Sequence, residues 1–283
     1  MFVIIGSIVV LTSVLGGFVI EGGPILVLIQ WVEFLIIGGT SIGALMIGST
    51  PSDLKKILSG FIRTIGGIKV SEKIYLDLLK LLFEFTTIYK KDGVLALESH
   101  IENPKNSSII KKYPTFISNH HAVELLCDSL RIVVLGGVAP HDLEAMIENT
   151  LETHHEESAR IPMAMSKIGD SLPGIGIVAA VLGIVITMQA VGGPPEVIGH
   201  KVAAALVGTF LGILLSYGFI QPLATNIEIL SEYEARYLHC IKAGVVALAK
   251  DFSPMVVVEF ARKQIYSDYR PQFAKVDKLI RQK

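Results

Sequence analysis

Long apolar runs separate charged segments along this chain, and the two longest runs lie close together in its second half. No charged residue occurs in the 25 positions between Asp170 and Glu196, or in the 26 positions between Lys201 and Glu228. A helix needs about 20 apolar residues to cross a hydrocarbon layer about 30 Å thick. The pattern therefore predicts a transmembrane hairpin of residues 172–191 and 202–222, joined by residues 192–201.

A second apolar pair lies at the start of the sequence. Residues 2–20 and 25–48 are separated by Glu-Gly-Gly-Pro, which is typical of a tight turn between antiparallel helices. No basic residue precedes the first run and no small-residue cleavage site follows it, so we expect a retained span rather than a signal peptide. Glu33 lies inside the second run and is expected near the outer membrane surface, with a solvated or capped carboxylate; an ion site is the alternative.

The segment between the hairpins and the tail after them have helical periodicity. We predict helices over about residues 51–67, 71–92 and 114–135, a short helix that carries Glu98, and a long helix from Pro140 almost to the third span. Pro162 is expected to interrupt that long helix. Pro254 and Pro271 should divide the tail into three helical pieces.

Basic residues give the expected orientation. Of the 25 Lys and Arg residues, the predicted hairpin turns hold one, Lys201, whereas residues 49–170 hold 14 and residues 224–283 hold 10. Basic segments next to membrane spans stay on the cytoplasmic side. Both termini and the middle segment are therefore expected in the cytoplasm.

Composition supports a membrane protein, because 51% of the residues are hydrophobic, 18% are charged and the mean hydropathy is +0.56. The net charge of −1 offers no basic surface for nucleic acid. We predict an all-α membrane protein with four transmembrane helices in two hairpins and a large cytoplasmic helical domain. The predicted divisions are residues 1–48 (first hairpin), 49–170 (cytoplasmic domain), 171–223 (second hairpin) and 224–283 (cytoplasmic tail).

Small residues recur at helical spacing in both runs of the second hairpin. They are Gly176, Ala180, Gly183 and Thr187 in the third span, and Ala204, Gly208, Gly212 and Ser216 in the fourth. Small residues let membrane helices approach closely, because packing drives their association in lipid. Two interpretations follow. Either these ridges pack within one subunit, or one face packs while Thr209 and its neighbours line a polar path.

The two spans of the second hairpin contain no acidic, basic or histidine side chain. Neither residues 172–191 nor residues 202–222 contain Asp, Glu, Lys, Arg or His, which are the usual ion carriers inside a membrane. If this protein moves ions, the titrating carboxylate must come from a partner. The hydroxyl of Thr209 could then orient a hydrated ion or that carboxylate.

Patterns for catalysis or metal binding are weak. His120 and His121 are adjacent, as are His154 and His155, and adjacent side chains on a helix point about 100° apart. Neither pair can therefore share a metal as histidines at i and i+4 do. The sequence has no phosphate-binding Gly-x-x-x-x-Gly-Lys loop and no nucleophile elbow. We predict no enzyme activity, no metal site and no cofactor, and we expect both cysteines to remain reduced.

Two long motifs resemble a known family. Residues 170–183 read DSLPGIGIVAAVLG and residues 207–224 read VGTFLGILLSYGFIQPLA. Shorter motifs are GGF at residues 16–18, IENP at 101–104, ETH at 152–154 and VEFARK at 258–263. With these motifs, the chain resembles the MotA family of flagellar motor stator proteins over nearly all of its length.

This resemblance implies a subunit of an ion-driven torque generator in the bacterial inner membrane, embedded in the lipid bilayer. Several copies, five by resemblance, would form a ring around a dimer of MotB, a single-span partner that supplies the ion-binding aspartate. The complex would act on the rotor protein FliG. Sodium-driven relatives resemble a pattern with a second hydroxyl near Ala180, and that hydroxyl is absent here. The transported ion would therefore be H⁺, with Na⁺ as the alternative.

The resemblance also implies roles for individual residues. Pro173 and Pro222 would couple ion passage to movement, although they could simply mark a helix start and stop. Glu98, Lys90 and Glu152 would contact the rotor, with Lys91 beside Lys90 as the alternative cation. Thr209, Ala180, Thr187 and Tyr217 would line the ion path.

Two other functions remain possible on the sequence. One is an energiser of the ExbB or TolQ kind, which drives a different single-span partner; those relatives resemble a three-span plan, whereas four spans are predicted here. The other is a passive helical membrane scaffold, which is consistent with the absence of an internal ion carrier.

Overall fold

The computed structural model describes residues 2–66, 70–189 and 191–281, and every regular element within these ranges is helical. The α-helices are α1 (Phe2–Ile20), α2 (Trp31–Gly48), α3 (Pro51–Gly66), α4 (Glu72–Asp92), α5 (Glu98–Ile101), α6 (Pro114–Ile117), α7 (His120–Leu135), α8 (Pro140–Met188), α9 (Pro195–Leu215), α10 (Gln221–Ala249), α11 (Pro254–Lys263) and α12 (Phe273–Arg281). A π-helical turn, Ser216–Ile220, joins α9 to α10. Gly67 and Ala190, which fall at or near the ends of two predicted helices, lie outside the described residues.

Four helical segments are long and apolar enough to cross a membrane by length and composition. They are Phe2–Ile20, Ile25–Gly48, Pro140–Met188 and Pro195–Ala249. The predicted apolar run 2–20 coincides with α1. The second run begins with a short 3₁₀ turn, Ile25–Leu28, before α2.

Several predicted helix boundaries are confirmed. Helix α3 begins at Pro51, and α4 follows Ser71 and ends at Gly93, whose φ of +83° favours glycine. The tail is divided before Pro254 and around Pro271, as predicted.

Three predicted boundaries are wrong. The helix predicted over residues 114–135 is two helices, because Asn119 is extended and its side chain accepts a hydrogen bond from the Ala122 N–H at 3.2 Å, which caps α7. Pro162 does not interrupt α8, and Pro173 also lies in its interior rather than in a first turn. The segment predicted to join the second hairpin is shorter than residues 192–201, since α9 already begins at Pro195.

The chain forms two compact units. The first unit comprises residues 1–68 and 157–230, and the second comprises residues 69–156 and 231–283. In the first unit, a small apolar core joins α2, α8 and α9 through Ile37, Leu172, Ala179, Val207 and Leu211. Helix α1 has no buried residue, so its apolar surface is left for lipid or other chains.

The second unit has a large core of its own. Its most deeply buried side chains include Tyr75, Phe85 and Phe116, and both cysteines, Cys127 and Cys240, are free and buried there. Burial raises the pKa of the Cys127 thiol to about 11 and that of the Cys240 thiol to about 12. Thiols that stay protonated at neutral pH are poor nucleophiles, and the reduced state of both cysteines stays a prediction.

Candidate functional site

The small residues of the second hairpin form a close helix contact in the first unit. A Cβ atom added to Gly176 of α8 would lie 2.7 Å from the carbonyl oxygen of Gly208, and one added to Gly212 of α9 would lie 2.6 Å from the carbonyl oxygen of Leu172. A Cβ added to Gly183 would lie 2.8 Å from the Cβ of Ala205. The prediction that these ridges pack within one subunit is confirmed, because only glycine fits at these three positions.

Pro173 lies at one end of this contact and leaves one backbone group without its usual partner. A proline has no N–H, so the carbonyl of Gly169, four residues earlier, loses its helical hydrogen bond. The hydroxyl of Ser216, which is fully buried, donates a hydrogen bond of 2.6 Å to that carbonyl. The last residue of the fourth-span ridge thus replaces the donor that Pro173 removes.

Pro222 has a comparable effect in the other helical arm of the hairpin. It lies in the first turn of α10, directly after the π-helical turn Ser216–Ile220, and the missing N–H leaves the carbonyl of Gly218 without its α-helical donor. The sequence prediction of a helix stop at this proline is wrong, since the helical path continues through the wider π turn. π turns inside helices commonly occur at functional sites.

A polar side-chain cluster lies beside the two prolines. Gln221 donates hydrogen bonds to Asp170 Oδ1 at 2.6 Å and to the carbonyl of Ser166 at 3.3 Å, and its own Oε1 accepts from Ser166 Oγ at 3.2 Å. A Cβ at Gly169 would lie 2.9 Å from the Gln221 side chain. Together with the bond from Ser216, these contacts tie α8 to the start of α10. Sequence reasoning missed this cluster, although Asp170 and Gln221 both stand at the ends of apolar runs.

The residues predicted to line an ion path lie in different surroundings. Ala180 is buried, and its backbone nitrogen lies 3.2 Å from a Cβ placed on Gly208. Thr187 is also buried, and its hydroxyl donates to the Gly183 carbonyl at 2.8 Å. Thr209 is half-buried beside the Gly176 contact, whereas Tyr217 is exposed in the π turn. Their part in an ion path stays a prediction.

Glu33 differs from the sequence prediction of a solvated or capped carboxylate. The residue is only 7% exposed, and its Oε2 has no hydrogen-bond partner among the described residues. Instead, Oε2 lies 2.5 Å from the position of a Cβ placed on Gly208 of α9. The missing side chain at Gly208 therefore makes room for this carboxylate, and an alanine there would collide with it.

The predicted rotor-contact residues lie on the second unit. Glu98 opens α5 and Glu152 lies in α8, and both are exposed. Lys90, at the end of α4, is 2.6 Å from Asp251 Oδ1 and donates to the Asp251 carbonyl at 2.7 Å. Lys91 is exposed beside it, and no ion pair joins it to another described residue. The structure thus brings Lys90 to a loop residue and leaves the charge of Lys91 to solvent.

Comparison with known proteins assigns the chain to a family. The family model described as Motility protein A N-terminal matches residues 4–93, and the one described as MotA/TolQ/ExbB proton channel family matches residues 118–238. Motility protein A of Salmonella typhimurium is 36% identical over 281 residues, which cover 99% of this chain and 95% of that protein.

Two solved structures share the fold. The C. jejuni MotAB structure aligns with a TM-score of 0.78 over 94% of this chain and 96% of its own, at 21% identity. The flagellar MotAB stator complex from Bacillus subtilis aligns with a TM-score of 0.74 over 98% of this chain and 97% of its own, at 22% identity. With the extent and identity of the Salmonella match, these alignments show that this chain belongs to the motility protein A family.

Proposed function

We propose that this chain is a stator subunit of the bacterial flagellar motor, which forms with MotB an ion-conducting complex that converts ion-motive force into torque. The observation that carries this proposal is the second hairpin. It has the tight glycine contact of α8 and α9 but no acidic, basic or histidine residue between Asp170 and Glu196 or between Lys201 and Glu228. The ion carrier must then come from outside this hairpin. Glu33 of α2 is buried against Gly208, and we assign the titrating carboxylate to a partner, which is MotB in the related complexes.

In this proposal, the four apolar segments cross the inner membrane as two hairpins, with both termini and residues 49–170 in the cytoplasm. The charge distribution supports this orientation, because the two predicted outer turns hold only one of the 25 basic residues. A reporter inserted at Gly22 or Pro195 should be accessible from outside, and one at Ser107 from inside. A reporter at Ser107 that is accessible from outside would refute the topology.

The polar cluster beside Pro173 and Pro222 is the proposed coupling element. Each proline frees a backbone carbonyl, and the bond from Ser216 to Gly169 links the two helices where these breaks occur. A helix with fewer internal hydrogen bonds bends more easily, so movement started by protonation of a partner carboxylate would concentrate at this level. Thr209, Ala180 and Thr187 are the proposed path residues on the membrane side of it, and Tyr217 is the proposed path residue in the π turn.

The transported ion is proposed to be H⁺, in line with the proton channel family that matches residues 118–238. Glu98, Glu152 and a lysine at position 90 or 91 are the proposed contacts to FliG. Assembly into a ring of five copies around a MotB dimer would place these charges around the rim of the complex. The match to the motility N-terminal model at residues 4–93 favours a stator over an ExbB or TolQ energiser.

Genetic complementation tests the proposal. The chain is expressed with a MotB partner in a flagellated strain that lacks stators, and rotation of tethered cells is recorded. Rotation is expected when both proteins are expressed together. Expression of either protein alone should give no rotation. Collapse of the proton gradient should stop it, whereas collapse of the sodium gradient should not. Complexes that assemble at normal levels but never rotate a tethered cell would contradict the stator function.

A further inference from the structure

Two histidines that are far apart in the sequence meet in the second unit. His121, at the start of α7, and His154, in α8, have ring centroids 4.7 Å apart at an interplanar angle of 70°. Each belongs to one of the adjacent pairs that the sequence made unsuitable for metal binding. The two members of a pair do not need to share a metal, because one member of each pair reaches the same place.

Glu234 of α10 completes a group of three possible ligands. One nitrogen from each histidine and one carboxylate oxygen of Glu234 all lie within 4.8 Å of one another. Zinc bonds of about 2.0–2.2 Å place the ligand atoms of a tetrahedral site about 3.4 Å apart. The three atoms therefore have to approach one another by at most about 1.4 Å to close around an ion.

We propose that His121, His154 and Glu234 form a binding site for a divalent transition metal, with Zn²⁺ as the best-matched ion. Two imidazoles and one carboxylate are a donor set that zinc takes in proteins, and the fourth position goes to water. The site opens into a cavity of about 400 Å³ that is also lined by Glu124 and Asp128. These two carboxylates add negative charge around the ion and can orient its water.

The three ligands come from three different helices, and this gives the metal a structural effect. The three ligands are distant from one another in the sequence. The packing of α7, α8 and α10 in the second unit otherwise rests on apolar contacts such as those of Leu126, Leu151 and Leu238, and on ion pairs of Lys242 with Glu148 and of Lys250 with Glu144. An ion held by one ligand from each helix links all three. Because binding requires the folded arrangement, metal binding must stabilise the second unit.

The test uses the tag-free, full-length protein purified with its MotB partner and stripped with a chelator. ZnCl₂ is titrated into the complex by calorimetry, and bound zinc is counted by mass spectrometry after dialysis. We expect one zinc per copy of this chain at the site. Each single replacement of a ligand by glutamine should weaken zinc binding at least 10-fold, because glutamine keeps a similar side-chain shape but the metal ligand is lost. The three variants are His121→Gln, His154→Gln and Glu234→Gln.

The chain supplies its own matched controls in the neighbouring histidines. His120→Gln and His155→Gln change exposed residues one position away on the same helices, and they should bind zinc like the parent. Added zinc should also raise the melting temperature of the parent but not that of His154→Gln, which shows that the variant folds and has lost only the ion. The proposal is overturned if the stripped parent takes up no zinc, or if the control variants lose as much affinity as the ligand variants.

Discussion

Ser216→Ala removes the only side-chain donor that the described residues offer to the carbonyl freed by Pro173. In the parent, Ser216 Oγ lies 2.6 Å from the Gly169 oxygen and the serine is fully buried. The alanine fits the space but leaves a buried carbonyl without a hydrogen bond. Such a loss costs about 1–3 kcal/mol. We expect the upper part of this range, because water has little access to the α8–α9 contact.

The assay has a structural and a functional readout. Thermal melting of the detergent-solubilised complex with MotB reports the lost free energy, and swimming speed reports coupling. We expect a lower melting temperature and slower swimming for Ser216→Ala, whereas Ser216→Thr, which keeps the hydroxyl, should restore part of both.

Ser171→Ala is the matched control for this experiment. Ser171 also lies beside Pro173, but its hydroxyl donates at 2.8 Å to the carbonyl of Ile168 in the same helix. Its loss should therefore leave the link between helices intact and change melting by less than Ser216→Ala. Equal melting temperatures for Ser216→Ala and the parent would refute the argument that Ser216 replaces the donor missing at Pro173.

Three further predictions concern other contacts. Gly212→Ala places a Cβ 2.6 Å from a backbone oxygen, whereas ordinary contact begins at 3.4 Å, so thermal melting should show a loss of stability of about 1–3 kcal/mol. Gly199→Ala is the control, because a Cβ there meets nothing within 4 Å. Equal stability of the two variants would contradict the close contact. Charge reversal at Lys91 should slow rotation without changing the melting temperature. Charge reversal at Lys90 should also lower stability by about 0.5–1 kcal/mol, because it removes the ion pair with Asp251. Identical melting temperatures of the two variants would count against a stabilising Lys90–Asp251 pair. Glu259→Gln should destabilise the second unit by about 2 kcal/mol, because it leaves the buried guanidinium of Arg262 with a weaker hydrogen-bond partner. An unchanged melting temperature at pH 7 would contradict a stabilising Glu259–Arg262 pair.

The pH dependence of the Glu259 contribution has a definite sign. The hydrogen bonds from Arg262 lower the pKa of the Glu259 carboxyl below the usual value of about 4.5 for a glutamate. Its contribution to stability is therefore complete above about pH 4.5 and is lost as the pH falls through the lowered pKa of the folded state. Parent and Glu259→Gln should differ in melting temperature at pH 7 and converge in strong acid.

The helices were largely predictable because local signals define them. Apolar runs long enough to cross a membrane predicted where the long apolar helices lie, and residues such as Ser71 and Gly93 marked the ends of α4. Proline was the misleading signal. A proline was taken as a helix break at position 162, but a long helix held by tertiary packing tolerates the loss of one hydrogen bond. The capping of α7 by Asn119 was missed because its start lay within an apparently continuous helical pattern.

The candidate site was predictable only in part, for a physical reason. Four-residue spacing showed that Gly208, Gly212 and Ser216 share a helix face, and the structure confirms that this face is the contact. Spacing says nothing about which residue lies opposite. The bond from Ser216 to Gly169 and the approach of Glu33 to Gly208 therefore appeared only with the tertiary structure, as did the meeting of His121 with His154.

The central claim is that this chain holds only half of an ion site, and ion flux tests it most directly. Proton flux is measured in vesicles that contain this chain alone, this chain with MotB, or this chain with MotB whose membrane aspartate is replaced by asparagine. We predict flux only with intact MotB, because residues 172–191 and 202–222 contain no Asp, Glu, Lys, Arg or His. Sustained flux through this chain alone, or through the complex with the asparagine variant, would contradict it.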